Sequence, residues 1–168
     1  MAAVHYAYPW SALIVQFKFQ SRADWARSLA TLLRSAPWVE PALELAQFVI
    51  PMPLSAVRLR TRGYNQAQEL ARHLAPDKLD GKLLLRIRDT PAQSALARDA
   101  RLRNVRGAFA VEPMRNSELA GARVVLVDDV MTSGASMFSA AATLRQAGVV
   151  HITALVLARA DLGGHASP

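Results

Sequence analysis

The stretch Val124-Val125-Leu126-Val127-Asp128-Asp129-Val130-Met131-Thr132-Ser133-Gly134-Ala135-Ser136 decides the fold of this chain. The apolar run Val124–Val127 predicts a strand buried on both faces, because a strand with one wet face would alternate polar and apolar side chains. Ser136–Ala147 then predicts a helix, with Met137, Ala140, Ala141 and Leu144 inward and Gly148 as its stop. Ile152–Leu157 is the next buried strand. Strand, helix and strand at this spacing form a βαβ unit, so an α/β fold with a parallel sheet is expected.

The same segment carries the chemistry. In an open α/β sheet, ligands collect beyond the carboxyl ends of the strands. Asp128 and Asp129 are expected at such an end, pointing in different directions. Two carboxylates there suit two ribose hydroxyls, or a hydrated Mg²⁺ beside a pyrophosphate. Thr132, Ser133, Gly134, Ala135 and Ser136 follow, all small, at the start of the helix. Unpaired backbone N–H groups and the helix dipole favour an anion at that point, and a phosphate monoester fits. Gly134 permits close approach or a positive φ. Thr132, Ser133 and Ser136 add hydroxyl donors. A nucleotide hydrolase of the common type would need Gly-x-x-x-x-Gly-Lys-Ser/Thr, which the chain lacks. A phosphoacceptor domain usually carries its acids on the first strand. The plain alternative is that these polar residues only cap a buried strand and helix.

Elsewhere the patterns are local. Ser21 with Asp24 reads as a helix start, and Trp25, Leu29, Leu32 and Leu33 fall on one face of that helix. Phe48–Ile50 is a short strand running into Pro51-Met52-Pro53. Asn65 can cap a helix whose inward stripe is Ala67, Leu70, Ala71 and Leu74, stopped by Pro76. Leu83–Leu85 is another short strand. From Arg88 to Arg106 the chain is polar and arginine-rich without firm period, which marks a mobile or functional stretch. The 168 residues are expected to form one domain over 1–162. Its 1–46 part is helical, 47–162 is the α/β core, and 163–168 is a disordered tail.

Composition limits the partners. A net charge of +7 suits polyanions such as phosphorylated metabolites, pyrophosphate or nucleic acid. The arginines gather at Arg58, Arg60 and Arg62, at Arg86 and Arg88, and at Arg98, Arg101, Arg103 and Arg106. No stretch approaches the roughly 18 apolar residues of a membrane span. Met1–Tyr8 lacks the pattern of a secretory signal, and cysteine is absent, so disulfides and cysteine-ligated zinc are excluded and a cytoplasmic location is expected. His5, His73, His151 and His165 have no ligand-like spacing. Trp10, Trp25 and Trp38 fall in expected helices, where packing is favoured over base stacking. Tyr64 leaves stacking and packing equally open.

The Val124–Ser136 segment resembles the phosphoribosyl-pyrophosphate motif of type I phosphoribosyltransferases. More narrowly, the chain resembles the ComF family of competence-associated, phosphoribosyltransferase-like proteins. The words that carry this are Leu13-Ile14 with Phe17-Lys18-Phe19, Pro51-Met52-Pro53-Leu54, and Arg62-Gly63-Tyr64-Asn65-Gln66. Thr90-Pro91-Ala92-Gln93 and Arg103-Asn104-Val105-Arg106-Gly107-Ala108-Phe109 complete the set. The resemblance implies the type I phosphoribosyltransferase fold, a mainly parallel central sheet flanked by helices, with a flexible loop.

It also implies roles. Asp128 and Asp129 would contact the ribose and serve as the catalytic acids, and Thr132, Ser133, Gly134, Ala135 and Ser136 would bind the 5-phosphate. A loop over Leu54–Arg62, with Leu54, Ser55, Arg60 and Arg62, would take the pyrophosphate. A flexible loop near Arg88–Arg106, with Gln93, Arg101 and Arg103, would close over the reaction. Mg²⁺ would enter with the donor, 5-phosphoribosyl-1-pyrophosphate, and could touch Asp128 and Asp129. Relatives usually begin with a four-cysteine zinc ribbon, which has no counterpart here, so no zinc is expected. The acceptor-binding hood of better-known family members has no recognisable counterpart either. The implied activity is phosphoribosyl transfer to a nitrogen nucleophile with pyrophosphate release. The alternative is a non-enzymatic adaptor for DNA uptake, binding single-stranded DNA, competence-machinery proteins or a nucleotide. The oligomeric state is left open, with a dimer as one option.

Overall fold

The computed structural model describes residues 2–19, 24–89, 105 and 107–160. In chain order, β1 (Ala2–His5) precedes three helices, α1 (Trp10–Phe19), α2 (Trp25–Arg34) and α3 (Val39–Leu45). Next come β2 (Phe48–Pro51), α4 (Ala56–Arg62) and α5 (Gln66–Leu74). After these come β3 (Leu84–Arg86), β4 (Phe109–Val111), β5 (Arg123–Met131), α6 (Ala135–Gln146) and β6 (His151–Arg159), with short 3-10 turns at Pro76–Lys78 and Pro113–Leu119.

The central sheet has the order β1-β6-β5-β2 and every pairing in it is parallel. The expected βαβ unit is β5–α6–β6, in register from Arg123 opposite His151 to Met131 opposite Arg159. Val124, Val125, Leu126 and Val127 are buried, as a strand covered on both faces requires. One face of the sheet packs through Val125, Val127, Leu155 and Leu157 against α1, α2, α3 and α5. The other packs through Val124, Leu126 and Val156 against α6 and the ladder β3–β4. Each fully buried Leu or Val in these layers contributes roughly 1.5–3 kcal/mol.

Several boundaries differ from the sequence reading. Strand β5 continues through the acidic pair to Met131, because pairing with β6 persists that far. The N-terminal part is not helical throughout: β1 pairs with β6 at the sheet edge, Ala2 opposite Val156. The strand expected at Leu83–Leu85 begins one residue later and pairs antiparallel with β4, which the sequence reading did not anticipate. Helix α2 starts at Trp25 after Asp24, whose side chain makes no cap bond, and Ser21 lies outside the described residues. Its buried face is Ala26, Leu29, Ala30 and Leu33. Trp25 and Leu32 are only partly buried at the margin, because the small alanines are what let α2 pack close against α5. The expected tail at 163–168 also lies outside the described residues.

Asn65 behaves as expected. Its Oδ1 accepts from the N–H of Ala67 at 3.0 Å and of Gln68 at 3.4 Å, while its Nδ2 donates to the Met52 carbonyl at 3.0 Å. One side chain thus caps α5 and ties it to the loop after β2. Asn65→Ala loses both functions and leaves the Met52 carbonyl without that donor. It is expected to destabilise the fold by about 1–2 kcal/mol, read as a lower midpoint in urea unfolding at unchanged slope.

Candidate functional site

The site is built where β5 gives way to α6. Alternation along β5 sends Asp128 and Asp129 to opposite faces of the sheet. Asp128 keeps part of its surface in solvent, and its Oδ1 accepts from the Asp129 N–H at 2.9 Å. Asp129 is 6% exposed; its Oδ1 accepts from the Val130 N–H at 2.6 Å. Its Oδ2 faces the Lys18 ammonium of α1 at 3.2 Å and, among the described residues, accepts no hydrogen bond.

Loss of hydration pushes the Asp128 carboxyl up to about 7, and the neighbouring Asp129 charge adds to the rise. The Asp129 N–H, Lys18 and Arg62 pull it partly back. Adjacent acids in a desolvated strand end therefore resist simultaneous ionisation, and cations from α1 and α4 compensate.

Thr132, Ser133 and Gly134 join β5 to α6. Thr132 is exposed, Ser133 and Ser136 are partly exposed, and Ala135 is buried in the core, so Ala135 can offer a ligand only its backbone. Gly134 is the N-cap residue with φ 75°, a left-handed conformation in which a branched side chain is strained. A Cβ there would also stand 3.0 Å from Phe138 Cε2 and 3.5 Å from Met131 Sδ. Gly134 gives α6 no side-chain cap, and Ser133 Oγ reaches the Ala135 N–H only at 3.4 Å. The first turn thus retains donor capacity for an anion.

The basic groups fall differently from the sequence reading. Leu54 and Ser55 do end a loop after β2, but 56–62 is helix α4 rather than loop. Ser55 is buried and its Oγ caps α4 by accepting from the Arg58 N–H at 3.3 Å. Arg60 is exposed on α4, while Arg62 donates to Gln66 Oε1 at 2.9 Å and lies close enough to Asp128 to influence it. Arg86 on β3 lies over the Phe109 ring, 5.5 Å from its centroid. Desolvation and then the Arg58 charge pull its guanidinium below the ordinary value, against the attraction of Asp89 and Asp128. Lys18 and Arg86 are the cations that the sequence reading gave no place at the site, whereas Arg58 lay within its pyrophosphate loop. Lys18 stood in the quoted word Phe17-Lys18-Phe19, but no spacing rule points from there to Asp129. Gln93, Arg101 and Arg103 lie outside the described residues.

Tyr64 packs. Its ring meets Phe17 edge-on at 5.9 Å and its hydroxyl donates to the Phe17 carbonyl oxygen, which fixes α1 beside the site. Among the described residues no three His, Cys, Asp or Glu side chains converge as a metal cage. No helix among them is long and apolar enough to cross a membrane.

Comparison with known proteins matches residues 55–165 to the family model described as phosphoribosyl transferase domain. Competence protein F of Haemophilus influenzae is 39% identical over 165 residues, covering 93% of this chain and 70% of that protein. DNA utilization protein YhgH of Salmonella typhimurium is 32% identical over 161 residues, covering 92% of this chain and 69% of its own length. Among solved structures, glutamine phosphoribosylpyrophosphate amidotransferase from B. subtilis superposes with a TM-score of 0.51 at 20% identity. That match covers 84% of this chain and 30% of the amidotransferase chain, and it establishes the fold alone.

The Asp128 shift has a consequence for stability. The folded carboxyl holds its proton to higher pH than the unfolded one, so stability falls as pH rises from 3.8 to about 7 and then levels. Asp128→Asn removes that dependence. The variant should match the parent near about pH 4 and exceed it by about 1–3 kcal/mol above about pH 8, discounted for the partial exposure of the carboxyl. Denaturant unfolding of both proteins across the pH range checks this.

Proposed function

The chain belongs to the phosphoribosyl transferase domain family, as a ComF-type member, and from that premise we propose that it binds 5-phosphoribosyl-1-pyrophosphate with Mg²⁺ and transfers the phosphoribosyl group. The observation that carries the reading is the pairing of Asp128 and Asp129 with the Thr132–Gly134 turn, at the end of a parallel strand. A carboxylate pair suits the ribose hydroxyls, and the first turn of α6 suits the 5-phosphate. Arg58, Arg62 and Arg86 supply positive charge for the diphosphate, whose oxyanions a guanidinium binds through two parallel donors.

In the transfer, a nitrogen lone pair forms the new bond to ribose C1 as the C1–O bond to diphosphate breaks and pyrophosphate leaves. Asp128 and Asp129 stabilise the positive charge that develops on the ribose. Among the described residues no side chain near them is an evident general base, so positioning and electrostatics carry the rate. The buried Oδ2 of Asp129, without a hydrogen-bond donor among the described residues, is a group that a hydrated cation fits. Mg²⁺ bound with the donor supplies neutralisation of the leaving diphosphate.

A second reading is an adaptor that handles single-stranded DNA, supported by the +7 charge and by the printed names of the relatives, competence protein F and DNA utilization protein. The two readings part on one measurement. Calorimetric titration with 5-phosphoribosyl-1-pyrophosphate should show binding that Mg²⁺ strengthens, and Asp128→Asn with Asp129→Asn should weaken it about tenfold or more. Equal affinity in the folded double variant, or salt-sensitive uptake of oligonucleotide without donor binding, overturns the transferase reading.

Gly134→Val should weaken binding of ribose 5-phosphate itself, because the positive φ and the Phe138 contact force the phosphate turn to move. Unchanged ribose 5-phosphate affinity in the folded variant removes this turn from the site.

A further inference from the structure

Lys18 forms an ion pair with Asp129 of the acidic pair, and it comes from the far end of the chain. Its side chain is 15% exposed and that of Asp129 is 9%, so the contact lies largely out of water. The placement is enforced by the residues that precede Lys18 on α1. Phe17 is fully buried and held by Tyr64, through the ring contact at 5.9 Å and the hydroxyl bond to the Phe17 carbonyl oxygen. Ile14, one turn earlier on α1, is buried in the same core layer. Helix α1 therefore cannot rotate Lys18 away without losing its packing. The long lysine stem can still swing, since an ammonium on four methylenes is not locked as a guanidinium fork would be.

Asp129 Oδ2 is the atom on which this turns. It is buried and takes no hydrogen bond among the described residues, so the ammonium at 3.2 Å is its compensating charge. A carboxylate oxygen that faces a lysine and takes no hydrogen bond among the described residues is one that a stronger cation can claim.

We propose that Lys18 is a resident counter-ion for Asp129, which a divalent cation displaces when a diphosphate sugar binds. The inference rests on the donor-site reading above and gives that site a specificity: without ligand, Lys18 lowers the affinity of the acids for free metal, so metal enters with the diphosphate. Lys18 is a positioning residue in this scheme. It sets the charge of the acidic pair and touches neither the ribose nor the transferred group.

Two measurements test it. The first compares the full chain with Lys18→Gln and Lys18→Arg in the absence of donor, following the thermal midpoint against MgCl₂. Glutamine keeps an N–H toward Asp129 and removes only the charge. Its apparent Mg²⁺ affinity should rise about fivefold, while Lys18→Arg should stay near the parent. A folded Lys18→Gln with unchanged Mg²⁺ affinity overturns the proposal.

The second uses the parent alone and so holds even if Lys18→Gln does not fold. Amine acylation read by mass spectrometry should find Lys18 slow in the free chain and several-fold faster with 5-phosphoribosyl-1-pyrophosphate and Mg²⁺. Lys78, held by the Leu43 and Glu44 carbonyls, is the internal control and should not change. Lys18 labelling that stays equal when calorimetry shows the donor bound overturns the exchange. If the donor does not bind at all but Lys18→Gln still gains Mg²⁺ affinity, the donor reading fails and the counter-ion role stands.

Discussion

Strand β5 has to be covered twice. Val124 to Val127 present apolar side chains to both faces of the sheet, and all are buried. A strand of that kind is stable only with partners on both edges and layers on both sides. Strands β2 and β6 supply the edges; α1, α2, α3 and α5 supply one layer, and α6 with β3–β4 the other. The position of the site follows from this. Burial on both faces leaves the carboxyl end of β5 as the place where its polar residues emerge, and the chain spends it on Asp128 and Asp129.

That placement creates an electrostatic conflict which the surrounding elements moderate. Two adjacent carboxylates at the carboxyl end of β5 lose much of their hydration and repel each other, so Asp128 holds its proton far above the usual carboxylate range. Cations arrive from separate directions, Lys18 from α1 and Arg62 from α4. Arg86 brings a further guanidinium from β3, itself disfavoured by burial and by Arg58. These like charges held near one another meet, on the proposed reading, a ligand that is cationic through its metal and anionic through its phosphates. On the proposed reading, this preorganised charge is what the transfer reaction uses.

The α1 helix has a double role in this arrangement. Through Ile14 and Phe17 it closes one layer of the core, and through Lys18 it reaches the acids. Tyr64 links the two by holding Phe17 from the start of the α5 region, beside the Asn65 cap. Packing of the N-terminal segment and charge at the site are therefore coupled through a few neighbouring residues. A disturbance of α1 would be felt at Asp129 even though the two are remote in sequence.

The sequence by itself determined whatever local pattern encodes. The apolar run, the acids, the small-residue turn and the helix stripe lie within one βαβ unit, so order along the chain implies order in space. The Asn65 cap was legible for the same reason, since a cap bonds residues two and three positions away. Where the strand ended was less legible, because β5 runs to Met131 only through pairing with β6. The rest was decided by tertiary structure. Periodicity marks a residue as buried but does not name its partner, so the β1–β6 and β3–β4 pairings had no local signal. Burial by size was likewise hidden: α2 turns Ala26 and Ala30 inward because close packing against α5 favours small residues over Trp25 and Leu32. Above all, the encounter of Lys18 with Asp129 depends on how α1 lies across the sheet, and only the packing of Phe17 against Tyr64 sets that.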